Sequence, residues 1–254
     1  MSDIPTLTLR GLSELTGAVD DLTRTTGLRW WFRGHTNAGW DLLPGARRMF
    51  SKSEERHVAN EFYVRARSRH PDCPAHDDYG GWLALMQHFG LPTRLLDWTY
   101  SPMVAAFFAT ERYHPHSDPP AVAHDACIWA LSPTELNAAQ GFEPLLYPLN
   151  AYMLQGLVRP ALKGEDGTDA VVAATPVETD LRMLVQQGAF TAHASTVALN
   201  GMPDCNRWLR KFVIPAEHLP AFARELALLG LRLGDLFPDL DNLARELRGW
   251  RRRR

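Results

Sequence analysis

An α+β fold is predicted for this chain: a single domain in which a central mixed or antiparallel sheet is flanked by helices. Some segments place apolar residues at helical spacing, whereas others are short runs rich in aromatic and β-branched residues. With 254 residues, 45% of them hydrophobic, the chain can bury a sizeable core. It has no internal repeat and no long flexible linker, so one domain over 1–254 is expected, with its core at 12–245 and a basic tail at 246–254.

The first half of the chain is predicted to be mostly helical. Leu12, Leu15 and Val19 recur at helical spacing, and Ser101 followed by Pro102 is typical of the start of a helix. The predicted elements are helices over 12–22, 54–69, 82–89 and 103–112, a strand over 28–33 and a loop over 71–80.

The second half is predicted to combine short strands with two closing helices. Scattered proline and glycine between residues 144 and 180 indicate several short strands joined by loops. Gly230 is typical of a helix end, and Asp239 is expected to cap the last helix. The predicted strands span 127–131, 190–193 and 210–214, and the predicted helices span 217–229 and 242–248.

Charge and cysteine content indicate a cytoplasmic protein with no membrane segment. The net charge is −2, so no global basic field favours nucleic acid. The three cysteines, Cys73, Cys127 and Cys205, have neither metal-ligand spacing nor the even count of a disulfide framework. No apolar run approaches the roughly 20 residues that span a bilayer. The terminal run Arg251 to Arg254 either contacts RNA or a membrane surface, or is a solvated end.

Two polar segments set among aromatic residues carry the candidate chemistry. In the first, Arg33 ends an aromatic run and precedes Gly34 and His35, an arrangement that suits a phosphate or a carboxylate. The alternative is that Arg33 forms a structural pair with Asp41 or Asp97.

The second segment, 87–99, contains His88, Arg94 and Asp97. Arg94 and Asp97 are three residues apart and could pair in a turn or on one helical face, and Asp97 could instead orient His88. One interpretation is a pocket wall with Trp98 as a stacking surface. The other is a buried salt bridge that holds the loop on the core.

A weaker set of candidates lies at Gln186, Gln187 and Phe190, where Gly188 would allow close approach of a ligand. The alternative there is a strand edge with solvated amides. The chain lacks a glycine-rich phosphate loop, a Cys/His metal cluster and a Gly-x-Ser-x-Gly turn. These absences argue against a P-loop NTPase, a Rossmann dehydrogenase, a common zinc enzyme and an ordinary serine hydrolase, and no metal site is expected.

These segments resemble the FRG domain, a family of bacteria and phages named after a Phe-Arg-Gly signature. Phe32-Arg33-Gly34 matches the signature, and Gln87 to Ala109 is similar to the longest motif of the family. Two weaker similarities cover Arg182 to Phe190 and Leu229 to Leu240. The family is suspected of a relation to ADP-ribosyltransferases, which implies an ADP-ribosyltransferase-like fold and NAD as co-substrate.

The resemblance implies an NAD-using transferase or NAD hydrolase that acts as a toxin or phage-defence effector. Arg33 would grip NAD, and the catalytic acid would be Asp97 inside the strong motif, with the later Glu178 as the other candidate. Catalytic residues would be Asp97, His88 and Arg33, and NAD-binding residues would be Arg33, Gly34, His35, Thr93, Arg94, Trp98, Gln187 and Phe190.

A protein or nucleic-acid acceptor and an antitoxin or regulatory partner would follow from that activity. Two alternatives stay open: a metal-independent ribonuclease that uses His88, Arg94 and Asp97, and a non-catalytic domain that senses a nucleotide or phage ligand. All three functions require Arg33, His88, Arg94 and Asp97 to converge on one cleft.

Overall fold

The computed structural model describes residues 3–114, 117, 120–164, 167–176 and 185–249. In these residues an eight-stranded sheet has the strand order β1-β8-β4-β2-β3-β7-β6-β5. The pairs β1–β8 and β5–β6 are parallel, and the other neighbours are antiparallel. The strands are β1 Thr6–Thr8, β2 Trp31–His35, β3 Leu95–Thr99, β4 Ala126–Leu131, β5 Tyr147–Pro148, β6 Val171–Thr175, β7 Gly188–His193 and β8 Leu209–Ile214.

Helices flank this sheet, so the predicted α+β fold with a mixed central sheet is confirmed. In the described residues the α-helices are α1 Leu12–Thr26, α2 Gly45–Met49, α3 Lys52–Ala66, α4 Tyr79–His88, α5 Pro102–Ala109, α6 Pro133–Ala139, α7 Gln155–Val158, α8 Pro160–Lys163, α9 Leu219–Leu228, α10 Leu233–Leu236 and α11 Leu240–Gly249. Each of these helices is too short or too polar to cross a bilayer.

The sheet separates three clusters of buried side chains. Alternation along β4 places Ile128 on one face and Trp129 on the other. The face of Ile128 carries two clusters side by side, one under α1, α5 and α9 and one under α3, α4, α7 and α8. The face of Trp129 carries the third, which includes Trp31, Trp98 and Trp208. The boundary between the first two clusters runs along β2 and β3, where the candidate residues lie.

Two local predictions fail for identifiable reasons. The segment after Pro92 forms strand β3, so Arg94 and Asp97 share neither the turn nor the helical face on which they could have paired. Leu95, Leu96 and Trp98 are buried on alternating faces in the middle of the sheet. Between residues 144 and 163 the chain forms mostly short helices, α7 and α8, where strands were expected. Leu157, Val158 and Ala161 are buried there against α3 and α4, so tertiary packing outweighs the strand signal of the small apolar runs.

Candidate functional site

A cleft opens where β2 and β3 separate. These antiparallel neighbours pair at one position, Phe32 with Thr99, while β2 stays paired with β4 as far as His35. β3 stays paired with β7 along its whole length. The space between the separating strands has a volume of about 520 Å³, which lies in the range of small-molecule sites.

Arg33 lies in the gap that the missing β2–β3 pairing leaves. Its Nη1 donates a hydrogen bond to the Asp97 backbone carbonyl (2.7 Å), and its Nε donates to Nε2 of His35 (3.0 Å). Nη1 also lies 3.9 Å from Oδ2 of Asp97, and 23% of the Arg33 side chain is exposed. Among the described residues these hydrogen bonds occupy two of the five guanidinium N–H groups. The Arg33 guanidinium therefore has a fixed orientation and keeps N–H donors for a ligand.

His35 orients Arg33 as an uncharged acceptor. Burial, and then the positive charges of Arg33 and Arg48, lower the pKa of His35 to about 3, so the imidazole is neutral at pH 7. Because Nε2 accepts from Arg33, the ring proton belongs on Nδ1. Burial also lowers the pKa of Arg33, which the negative charge of Asp97 opposes. An imidazole with so low a pKa is a poor proton-transfer group at neutral pH, so His35 is a positioning residue.

The Asp97 carboxylate is held by a chain of polar groups that begins at Gln87 of α4 and continues to Thr93 in the loop after it. Oδ2 of Asp97 accepts from Nε2 of Gln87 (2.9 Å), and Oε1 of Gln87 accepts from the Thr93 hydroxyl (2.5 Å). Thr93 in turn accepts from the Leu95 amide (3.0 Å). The Asp97 side chain remains 57% exposed. Gln87 and Thr93 thus fix the Asp97 carboxylate on the cleft wall, beside the Arg33 guanidinium.

The other walls of the cleft contribute aromatic side chains and a second carboxylate. Trp40, which is 49% exposed, stands at the rim and packs edge-on against His35 at 6.1 Å between ring centroids. Phe108, Phe190 and the half-buried His88 also line the cleft, as does Glu111 in the 3₁₀ turn Glu111–Tyr113 after α5. Among the described residues no side chain pairs with the Glu111 carboxylate. Glu111 was not among the residues predicted from the sequence. Its signal is an acidic residue two positions after the end of an apolar helix.

Arg94 lies outside the cleft, and its suggested pairing with Asp97 is wrong. Its Nε and Nη2 donate to both oxygens of Glu55 (2.9 and 2.7 Å), and its Nη1 donates to the Leu157 carbonyl (2.6 Å). Only 4% of either side chain of the Arg94–Glu55 pair is exposed. The interpretation as a buried salt bridge therefore fits Arg94, with a partner 39 residues away that local spacing could not identify.

Trp98 is among the residues that line the cleft, but its indole is buried in the core. Strand alternation turns its indole into the core on the opposite face, where Nε1 donates to Oγ1 of Thr191 (3.0 Å). Phe190 lines the cleft, whereas Gln187 adopts a positive φ of 49° and its carbonyl accepts from the Tyr100 amide (3.0 Å). Gln186 lines the cleft and donates through Nε2 to the Leu236 carbonyl (2.9 Å).

Arg33, His88 and Asp97 thus converge on one cleft, and Arg94 does not. Within the described ranges, no group of three or more His, Cys, Asp or Glu side chains could hold a metal ion. Glu178, Arg182 and the run Arg251 to Arg254 lie outside the described residues.

Comparison with protein families identifies the segment that builds this cleft. Residues 28–118 match the family model of the FRG domain. This segment is similar to the FRG domain. The matched residues begin just before β2 and end beyond α5, so they include Arg33, His35, His88, Asp97 and Glu111. No curated protein and no solved structure matches the chain.

Each residue of the FRG signature has a different structural role. Phe32 packs in the core cluster under α5, and Arg33 lies in the cleft. A Cβ on Gly34 would overlap the Ala105 carbonyl oxygen and the Ala109 backbone nitrogen, so β2 contacts the α5 backbone directly. This close approach of strand and helix requires glycine. The signature therefore positions the guanidinium and docks the helix that brings Phe108 and Glu111 to the cleft.

Proposed function

We propose that the cleft between β2 and β3 binds NAD and that the protein is an ADP-ribosyltransferase or NAD hydrolase. The observation that carries this proposal is the Arg33 guanidinium, held by His35 and the Asp97 carbonyl inside a ligand-sized cleft. NAD combines two phosphates with two ring systems, and the cleft offers a counterpart to each.

The cations of the cleft suit the pyrophosphate. Arg33 keeps N–H donors for a charge-assisted pair of hydrogen bonds. Arg48, exposed at the end of α2, adds a second positive charge to the lining. The neutral His35 stabilises the orientation of Arg33 without adding a charge.

The rings suit nicotinamide and adenine. Phe108 and Phe190 line the cleft from two neighbouring core clusters, and Trp40 stands half-exposed at its rim. Aromatic side chains stack on planar heterocycles and exclude water from them. Because about half of Trp40 is exposed, its ring is accessible for stacking against a base of the ligand.

The carboxylates suit the chemistry of the glycosidic bond. When the bond between C1′ of ribose and the nicotinamide nitrogen breaks, its electron pair leaves with nicotinamide and positive charge develops on the ribose. A nearby ionised carboxylate stabilises that charge. Water or an acceptor group then attacks C1′ and loses a proton. Asp97 is engaged by Gln87 and Arg33, whereas Glu111 is unpaired among the described side chains, so we assign the principal role to Glu111 and an orienting role to Asp97.

Nicotinamide release from NAD by the purified protein tests this proposal. We expect release by the wild type and a loss of at least about 100-fold in Arg33→Ala and Glu111→Gln, in the range seen when a charge-stabilising group is removed. Asp97→Asn should retain more activity than Glu111→Gln. Glu217→Gln, which changes an exposed carboxylate in the 3₁₀ turn after β8, is the matched control and should be fully active.

Two other outcomes would replace the proposal. Cleavage of RNA without nicotinamide release would favour a ribonuclease built on Arg33 and His88, since Arg94 is sequestered by Glu55. NAD binding without turnover would favour a sensor. Added total RNA or a protein extract shows whether ADP-ribose is transferred to a nucleic-acid or protein acceptor.

The cellular role we propose is that of a cytoplasmic toxin or phage-defence effector restrained by an antitoxin or regulatory partner. Its three cysteines are free thiols, as a reducing compartment favours. Depletion of cellular NAD on expression of the wild type, and not of Arg33→Ala, is the expected result.

A further inference from the structure

A second pocket lies on the far side of α2 from the cleft, and cations dominate its walls. Its volume is about 260 Å³. On helix α2, Arg48 lines the cleft and Arg47 lines this pocket. The charged lining residues are Arg47, Lys52, Arg56, Arg94 and Asp169.

The buried part of this cluster is short of negative charge. The side chains of Arg47, Arg94 and Glu55 are each at most 5% exposed, and the one carboxylate pairs with both guanidiniums. Its Oε2 lies 3.2 Å from Nη1 of Arg47 and 2.7 Å from Nη2 of Arg94. Buried charges are normally compensated, so two buried cations on one anion leave a positive charge that an additional anion would neutralise.

Arg47 also keeps a donor without a partner. Its Nη2 donates to the carbonyls of His193 and Ala194 (3.0 and 3.3 Å). Its Nε is buried and makes no hydrogen bond in the described part of the chain. A buried unsatisfied N–H destabilises the folded state unless something else binds it.

The residues at the mouth of the pocket also carry more positive than negative charge. Lys52 and Arg56 are four residues apart on α3, where like charges repel one another. The exposed Asp169 lines the same pocket, and its charge also acts on Arg47. Glu165 and Asp166 follow Gly164 in the sequence and lie outside the described residues. Four cations against Glu55 and Asp169 leave the described walls with two excess positive charges.

We propose that this pocket is a binding site for a phosphate group, separate from the NAD cleft. Its cations surround a space that admits a compact tetrahedral anion, and guanidinium forks match phosphate oxygens. The source is either free phosphate or the terminal phosphate of a nucleotide. Since α2 carries Arg47 on one side and Arg48 on the other, an occupied pocket would also hold the helix that lines the cleft.

Isothermal titration of the full chain with inorganic phosphate, pyrophosphate and ADP, at ionic strength held constant with sodium chloride, tests the site. The test variant is Lys52→Gln with Arg56→Gln, which spares the buried Glu55 cluster. Arg65→Gln, an arginine that is 70% exposed on the same helix, is the matched control. Arg33→Ala removes the cation of the cleft.

We expect the wild type, Arg65→Gln and Arg33→Ala to bind phosphate equally and the double variant to bind at least tenfold more weakly. Phosphate should also raise the unfolding midpoint of the wild type above that in equivalent sodium chloride, because a ligand of the folded state stabilises it. ADP binding lost in Arg33→Ala while phosphate binding persists would identify free phosphate as the ligand. No phosphate binding by the wild type, equal binding by the double variant, or loss in Arg33→Ala would each overturn the proposal.

Discussion

Acidification should destabilise the protein through two histidines that are buried in neutral form. Burial is the main cause that lowers the pKa of both His35 and His193 to about 3, against an ordinary value of 6.5. The folded-state pKa is the lower one, so the stabilisation is complete above pH 6.5 and is lost as the pH falls towards 3. Between pH 7.5 and pH 5, each histidine should reduce the free energy of unfolding by about 2 kcal/mol, or about 4 kcal/mol together.

Urea unfolding at pH 7.5 and pH 5, followed by tryptophan fluorescence, measures this loss in the wild type and in His193→Gln. His193 lies wholly in the core, and its Nε2 is 2.9 Å from the Thr191 hydroxyl. The variant should lose about 2 kcal/mol less than the wild type over the same pH interval, because one titrating group is gone. Carboxylate contributions cancel in this comparison. An equal loss in both proteins would show that His193 is not held neutral by burial and would refute the reasoning.

Two substitutions test the packing around the site by the same urea assay. Gly34→Ala should destabilise the fold by about 3 kcal/mol or more, because the added Cβ would overlap the backbone of α5 at Ala105. Gly17→Ala is the control: it has open space around it on α1 and should stabilise the fold by about 0.5–1 kcal/mol. A tolerated Gly34→Ala would contradict the close strand–helix contact. Glu55→Gln should destabilise by about 3–5 kcal/mol, because it leaves Arg94 as an uncompensated buried charge; a change below about 1 kcal/mol would mean that the pair is solvated.

Elements whose signal is local were predictable from the sequence. Helix α1 follows its apolar spacing, and α5 begins as expected, with the Ser101 hydroxyl accepting from the Val104 amide (3.3 Å) and Pro102 at the first position. The two motif segments that share the cleft were identified from their polar residues among aromatics. Arg33 was assigned to a ligand site and to a possible structural pair with Asp97, and the structure shows contact with Asp97 inside the cleft.

Partners far apart in the sequence were not predictable. Arg33 meets the Asp97 carbonyl across 64 residues because two strands pair once and then separate. Glu55 lies in the helix predicted over 54–69, and its local sequence does not indicate that it is buried between Arg47 and Arg94. Three-residue spacing suggested that Arg94 and Asp97 share a helical face, but β3 is a strand. Such pairings depend on sheet topology, which local patterns do not encode.

A crystal structure with a non-hydrolysable NAD analogue tests whether the cleft binds NAD. We expect the pyrophosphate oxygens to accept hydrogen bonds from Arg33 and the nicotinamide ring to lie between β2 and β3, near Phe108 and Glu111. An analogue bound elsewhere, or an empty cleft at saturating analogue, would contradict this proposal.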